Sequence, residues 1–138
     1  MRKTGLFVIM LAMMAGCGAP SGGEAPAPPA DAPAPEAEMN MFDLPPVTIG
    51  PYTVQPMYEE KLEDGHFNLR ISGGEVATVR EWVGPEDAAG VMVVKTEIER
   101  DYWHGHVEMP DPIPADARLW IEIETPSGEL LKGSTPLK

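Results

Sequence analysis

The sequence predicts an all-β domain: a single immunoglobulin-like β-sandwich of about seven strands, set behind a leader and a tether. Three observations carry this. From about Val47 onward, Val, Ile, Thr, Tyr and Trp come in short runs. Gly and Pro punctuate those runs every eight to twelve residues, the spacing of turns between antiparallel strands. No segment after the leader repeats its apolar residues at a convincing helical period.

The elements follow in order. Tyr52 to Leu62 reads as the first long strand, and Glu63-Asp64-Gly65 as its turn, because Asp-Gly suits the positive φ of a tight hairpin. Phe67, Leu69 and Ile71 then alternate with His66, Asn68 and Arg70, the pattern of a strand with one face buried. Gly73-Gly74 turns the chain, and no helix pattern or nearby Lys follows to make it a phosphate loop. Glu75 to Val83 carries apolar residues on both faces, as a central strand does. Gly84 to Gly90 is a loop. Val91 to Glu99 is expected as one strand, with Met92, Val94 and Ile98 on its apolar face. Tyr102 to Met109 is the next, followed by an extended loop through Pro110, Pro112 and Pro114. Ala117 to Glu124 alternates with Leu119, Ile121 and Ile123 inward; Thr125 to Gly128 is a turn; Glu129 to Lys132 is the last strand. No internal repeat is visible.

The first seventeen residues carry an address. Arg2 and Lys3 precede an apolar run from Leu6 to Ala15. That run is too short for a bilayer core, which needs about 20 helical residues. The segment 1–16 therefore reads as a signal peptide. It ends in Met14-Ala15-Gly16-Cys17, and Cys17 is the only cysteine of the chain. These four residues resemble the lipobox of bacterial lipoprotein precursors, although Met14 stands where leucine is commonest. The resemblance covers the leader alone. It implies cleavage before Cys17, a diacylglycerol on its sulfur and anchoring in a membrane of the bacterial cell envelope. Gly18 resembles the outer-membrane class of such proteins where the cell has two membranes. Two or three acyl chains at about 0.8 kcal/mol per buried methylene suffice for stable anchoring, whereas one chain is marginal.

Behind Cys17 comes a spacer. Sixteen of the 23 residues from 18 to 40 are Ala, Pro or Gly, and its charges, Glu24, Asp31, Glu36 and Glu38, are all acidic. Such a segment has almost nothing to bury and reads as a disordered linker. The block 41–138 is left as the folded domain, large enough for one modest core.

Composition then narrows the function. Ten Lys and Arg stand against 22 Asp and Glu, a net charge of −12, and loss of the leader removes two of the positive charges. Binding to nucleic acid through a basic patch is thereby set aside. A single cysteine leaves no internal disulfide, no multi-cysteine metal site and no Cys-His nucleophile. No Gly-X-Ser-X-Gly elbow occurs, and the many carboxylates show no sign of flanking a cleft. No enzyme is expected.

Two binding readings remain. In the first the domain is a non-enzymatic module that binds or positions an envelope protein or ligand. Its contact is Trp120, which alternation places outward among Arg118, Glu122 and Glu124, while Trp82 and Trp103 are expected in the core. This reading needs no cofactor. In the second the module binds Cu or Zn. In Tyr102-Trp103-His104-Gly105-His106-Val107-Glu108-Met109, residues two apart share a strand face. With Trp103 and Val107 inward, His104, His106 and Glu108 line the outer face, two imidazoles and one carboxylate for a divalent cation. An acidic surface raises the local cation concentration. The sandwich scale and the His and Met content are similar to periplasmic copper-handling and YtkA-like domains. No family motif aligns residue by residue, and no site is carried over from them.

Overall fold

A computed structural model describes residues 39–138. The expected signal peptide, Cys17 and the linker up to residue 38 lie outside the described residues; Met39 and Asn40 are exposed.

The described chain is all-β, and its ten strands form two antiparallel sheets. The first sheet contains β1 (Met41–Asp43), β2 (Val47–Ile49), β3 (Tyr52–Glu59), β4 (His66–Ser72), β7 (Glu97–Glu99) and β8 (Tyr102–His106). Their order is β1-β3-β4-β8-β7, with β2 pairing the same edge of β3 as β1 does. Thus β1 and β2 are two halves of one edge strand. Pro45 and Pro46 interrupt it, since proline has no N–H to give to a ladder. The second sheet runs β10 (Leu130–Pro136), β9 (Arg118–Glu124), β5 (Thr78–Val83) and β6 (Val94–Lys95).

The core lies between the sheets. Val54, Phe67 and Leu69 of the first pack with Val79, Leu119, Ile121 and Ile123 of the second, all fully buried. Truncating one of these to Ala costs about 2–5 kcal/mol, a large share of the stability of a domain this size. At one edge Gly133 lets β10 approach β2, because a Cβ there would press on the side chains of Ile49 and Val47. Glu81 of β5 also points into this interior and is fully buried.

The sandwich is as expected, and four details of the expectation change. The strands number ten, because the short edge pieces β1 and β2 precede the first long strand and the expected strand over 91–99 is divided in two. Val91–Glu99 is not one strand: β6 pairs with β5 in one sheet and β7 with β8 in the other. Thr96 makes the crossing, with its N–H and its hydroxyl both donating to the carbonyl of Val79 at 3.0 Å. Met92 and Ile98 are consequently 56% and 65% exposed, not core. The last strand extends to Pro136, held along its length by β9. Trp82 is only 3% exposed, yet it faces away from the intersheet core; its N–H donates to Pro85 O at 2.8 Å, so the loop after β5 covers it.

Candidate functional site

Pleating sends Phe67 and Leu69 of β4 into the core and His66, Asn68 and Arg70 to the outer face of the first sheet. The same alternation on β8 packs the partly buried Trp103 against the core and turns His104 and His106 outward. Strand pairing then decides which outer residues meet. In the β4–β8 ladder His66 stands opposite His106 and Asn68 opposite His104. All three histidines of the chain are thereby brought to one face. The rings of His66 and His106 stack at 4.3 Å with 9° between their planes, and His66 lies 5.8 Å from His104.

The neighbours of this cluster are polar and acidic. Glu97 of β7 is the cross-strand partner of His104. Glu97, Glu99, His104 and His106 line an open recess together with Val94 and Lys95 of β6. On the other side Asn68 Oδ1 lies 3.0 Å from His104 Nδ1, and the Asn68 amide nitrogen donates to Glu59 Oε1 at 2.8 Å. Glu59 Oε1 itself is 3.8 Å from His104 Nδ1. Imidazole nitrogens beside carboxylate oxygens are a donor set suited to Zn(II) or Cu(II). Among the described residues, no three His, Cys, Asp or Glu side chains are arranged around one point as a finished metal cage. His104 and His106 thus offer an open pair, with coordination to be completed from outside.

The expected ligands are placed unequally. His104 and His106 share the recess. Glu108 lies beyond the end of β8, exposed, and lines a different recess with Val83, Met92, Met109 and Pro110. Val107 N–H donates to Gly65 O, which holds the chain after β8 against the turn before β4. His66 is the residue that reading the sequence overlooked. Its outward position was visible in the alternation of 66–71, but its meeting with His106 depends on which strands pair.

Trp120 belongs to a separate cluster on the outer face of the second sheet. It pairs in register with Trp82, and the two rings stack at 6.3 Å with 12° between planes. Its indole N–H donates to Gly84 O at 3.0 Å, and Lys132 Nζ lies about 6 Å above both rings. The polar handle of Trp120 is therefore used within the domain. Beside it Arg80 bridges Glu122 at 3.2 Å and Glu124 at 3.0 Å.

No helix among the described residues is long and apolar enough to cross a membrane. Comparison with protein-family models, curated proteins and solved structures finds no match.

Proposed function

We propose that the chain is a lipid-anchored lipoprotein of the bacterial cell envelope, held to a membrane through Cys17, and that its β-sandwich is a non-enzymatic binding module. Its binding face is the histidine face of the first sheet, and its ligand is a divalent transition cation, Cu(II) or Zn(II). The observation that carries the reading is the convergence of His66, His104 and His106 on two paired strands. Three histidines scattered on a strongly acidic chain have no need to meet. Here they meet beside Glu59 and Glu97, where the field favours a cation.

His104 and His106 supply the nitrogens. A strand holds residues two apart on one face, so little ordering entropy opposes their joint use. Water or a ligand from a partner protein completes the shell, which makes the site open and exchangeable. The Trp82–Trp120 pair serves in this reading to pin the loop after β5, and not as the partner anchor.

Calorimetric titration of the purified protein with Zn(II) and with Cu(II) near neutral pH tests the reading. Binding with one dominant site, removed by His104→Ala with His106→Ala, is expected. Absence of heat with both metals, or equal binding by the double variant, would overturn it.

A further inference from the structure

We infer that Asn68 is a positioning residue that fixes the tautomer of His104, so that this ring presents an unprotonated Nε2 to the cation. The inference rests on the metal reading above and adds to it the Glu59–Asn68–His104 relay.

Asn68 lies on the outer face of its sheet, where polar side chains are ordinarily solvated, yet it is 0% exposed. Its amide makes two contacts that are chemically directional. Glu59 Oε1 stands 2.8 Å from Nδ2, and His104 Nδ1 stands 3.0 Å from Oδ1. An ionised carboxylate only accepts hydrogen bonds, so the amide nitrogen must be the group that faces Glu59. The amide oxygen then faces the ring, and an amide oxygen also only accepts. His104 Nδ1 must therefore carry a hydrogen and donate it. In the neutral ring this leaves the lone pair on Nε2, the atom farther from the backbone. Neutral histidine free in water prefers the opposite tautomer, with hydrogen on Nε2, so the preference here is imposed by the relay.

This is the arrangement a metal-bound imidazole requires. Such a ring usually donates its second N–H to a carbonyl or carboxylate, which sets its orientation and raises its basicity. Asn68 provides the carbonyl. Glu59 stands behind it, 3.8 Å from the same ring nitrogen, and offsets the positive charge the ring gains on coordination. Met41 Sδ, 3.4 Å from Asn68 Nδ2, closes the amide off from water on the β1 side. His106 is held by different means, through its stack on His66.

The test reads the tautomer directly, without metal. Long-range proton–nitrogen correlation spectra of the nitrogen-15-labelled protein separate Nδ1–H from Nε2–H rings, and His104→Ala assigns the signals. The parent is expected to show His104 as Nδ1–H. Asn68→Leu should move it to Nε2–H and weaken Zn(II) binding about tenfold or more. The double variant Glu59→Gln with Asn68→Asp reverses the first hydrogen bond, because the amide introduced at position 59 can donate where the carboxylate accepted. It should restore both the Nδ1–H signal and most of the affinity, which a loss of packing alone would not do. A parent ring found as Nε2–H overturns the inference, and so does an Asn68→Leu protein that binds Zn(II) as tightly as the parent; either leaves the metal reading standing. A parent with the Nδ1–H ring that binds neither Zn(II) nor Cu(II) instead overturns the metal reading, and the binding role of Asn68 with it.

Discussion

The carboxyl of Glu81 fills the space that a Cβ on Gly105 would occupy. Glu81 comes from β5 of one sheet and Gly105 from β8 of the other, so the contact spans the sandwich. Neither carboxyl oxygen has a hydrogen-bond partner among the described residues, and Ile121 and Val94 flank Glu81 in its own sheet. The residue that separates His104 from His106 is thus a glycine because the core behind it is occupied by an acid.

Burial pushes the Glu81 carboxyl well above the ordinary carboxylate range. The folded state therefore holds a proton that the unfolded state releases above about pH 4.5. With more protons bound in the folded state, stability falls as pH rises, at about 1.4 kcal/mol per pH unit, until the folded carboxyl itself ionises. The variant Glu81→Met keeps the volume and removes the titratable group. It should be more stable than the parent near pH 7, by on the order of 1–3 kcal/mol, with the difference shrinking toward pH 4. Denaturant melts of both proteins from pH 4 to pH 8 measure this. A constant difference across that range would show that Glu81 does not titrate as placed.

Gly105→Ala should destabilise the domain, since the new methyl meets the Glu81 carboxyl and the Thr96 side chain. Combined with Glu81→Ala, which empties that space, the same substitution should cost much less. The double-mutant cycle is expected to give a coupling of about 1–3 kcal/mol. Additive effects in urea melts would mean that the two residues do not share the space.

Acid should release metal from the histidine face, because protons compete with the cation for the imidazole nitrogens. His104→Ala with His106→Ala should remove binding and lower stability by only about 1–3 kcal/mol, the cost of leaving the buried Asn68 Oδ1 without its partner. A collapse of the melting temperature in that variant would assign the two rings a structural role instead.

Cys17→Ser should leave a precursor that takes up no labelled fatty acid and fails to partition with membranes. Equal labelling of variant and parent would remove the lipoprotein assignment. The residue lies outside the described part of the chain, so the expectation stands on the Met14-Ala15-Gly16-Cys17 pattern alone.

The sequence by itself determined the fold class and the facing of most side chains. Alternation depends only on the two-residue repeat of a strand, so Leu119, Ile121 and Ile123 could be placed inward, and His104 and His106 outward, without knowing any neighbour. Pairing depends on contacts between residues far apart in the chain, which one sequence does not encode locally. Only the tertiary structure could therefore bring His66 to His106 and bury Asn68 between Glu59 and His104. It also decided that the apolar spacing of Met92, Val94 and Ile98 spans a crossing between sheets, so that Met92 and Ile98 are left in solvent. Trp82 shows the same limit from the other side: its bulk called for burial, but a loop, and not the opposing sheet, provides it. Glu81 ran against its own chemistry. A lone carboxylate favours water, and its place in the core follows from the register of β5 with β9 and from the gap left by Gly105, neither of which is a property of residue 81.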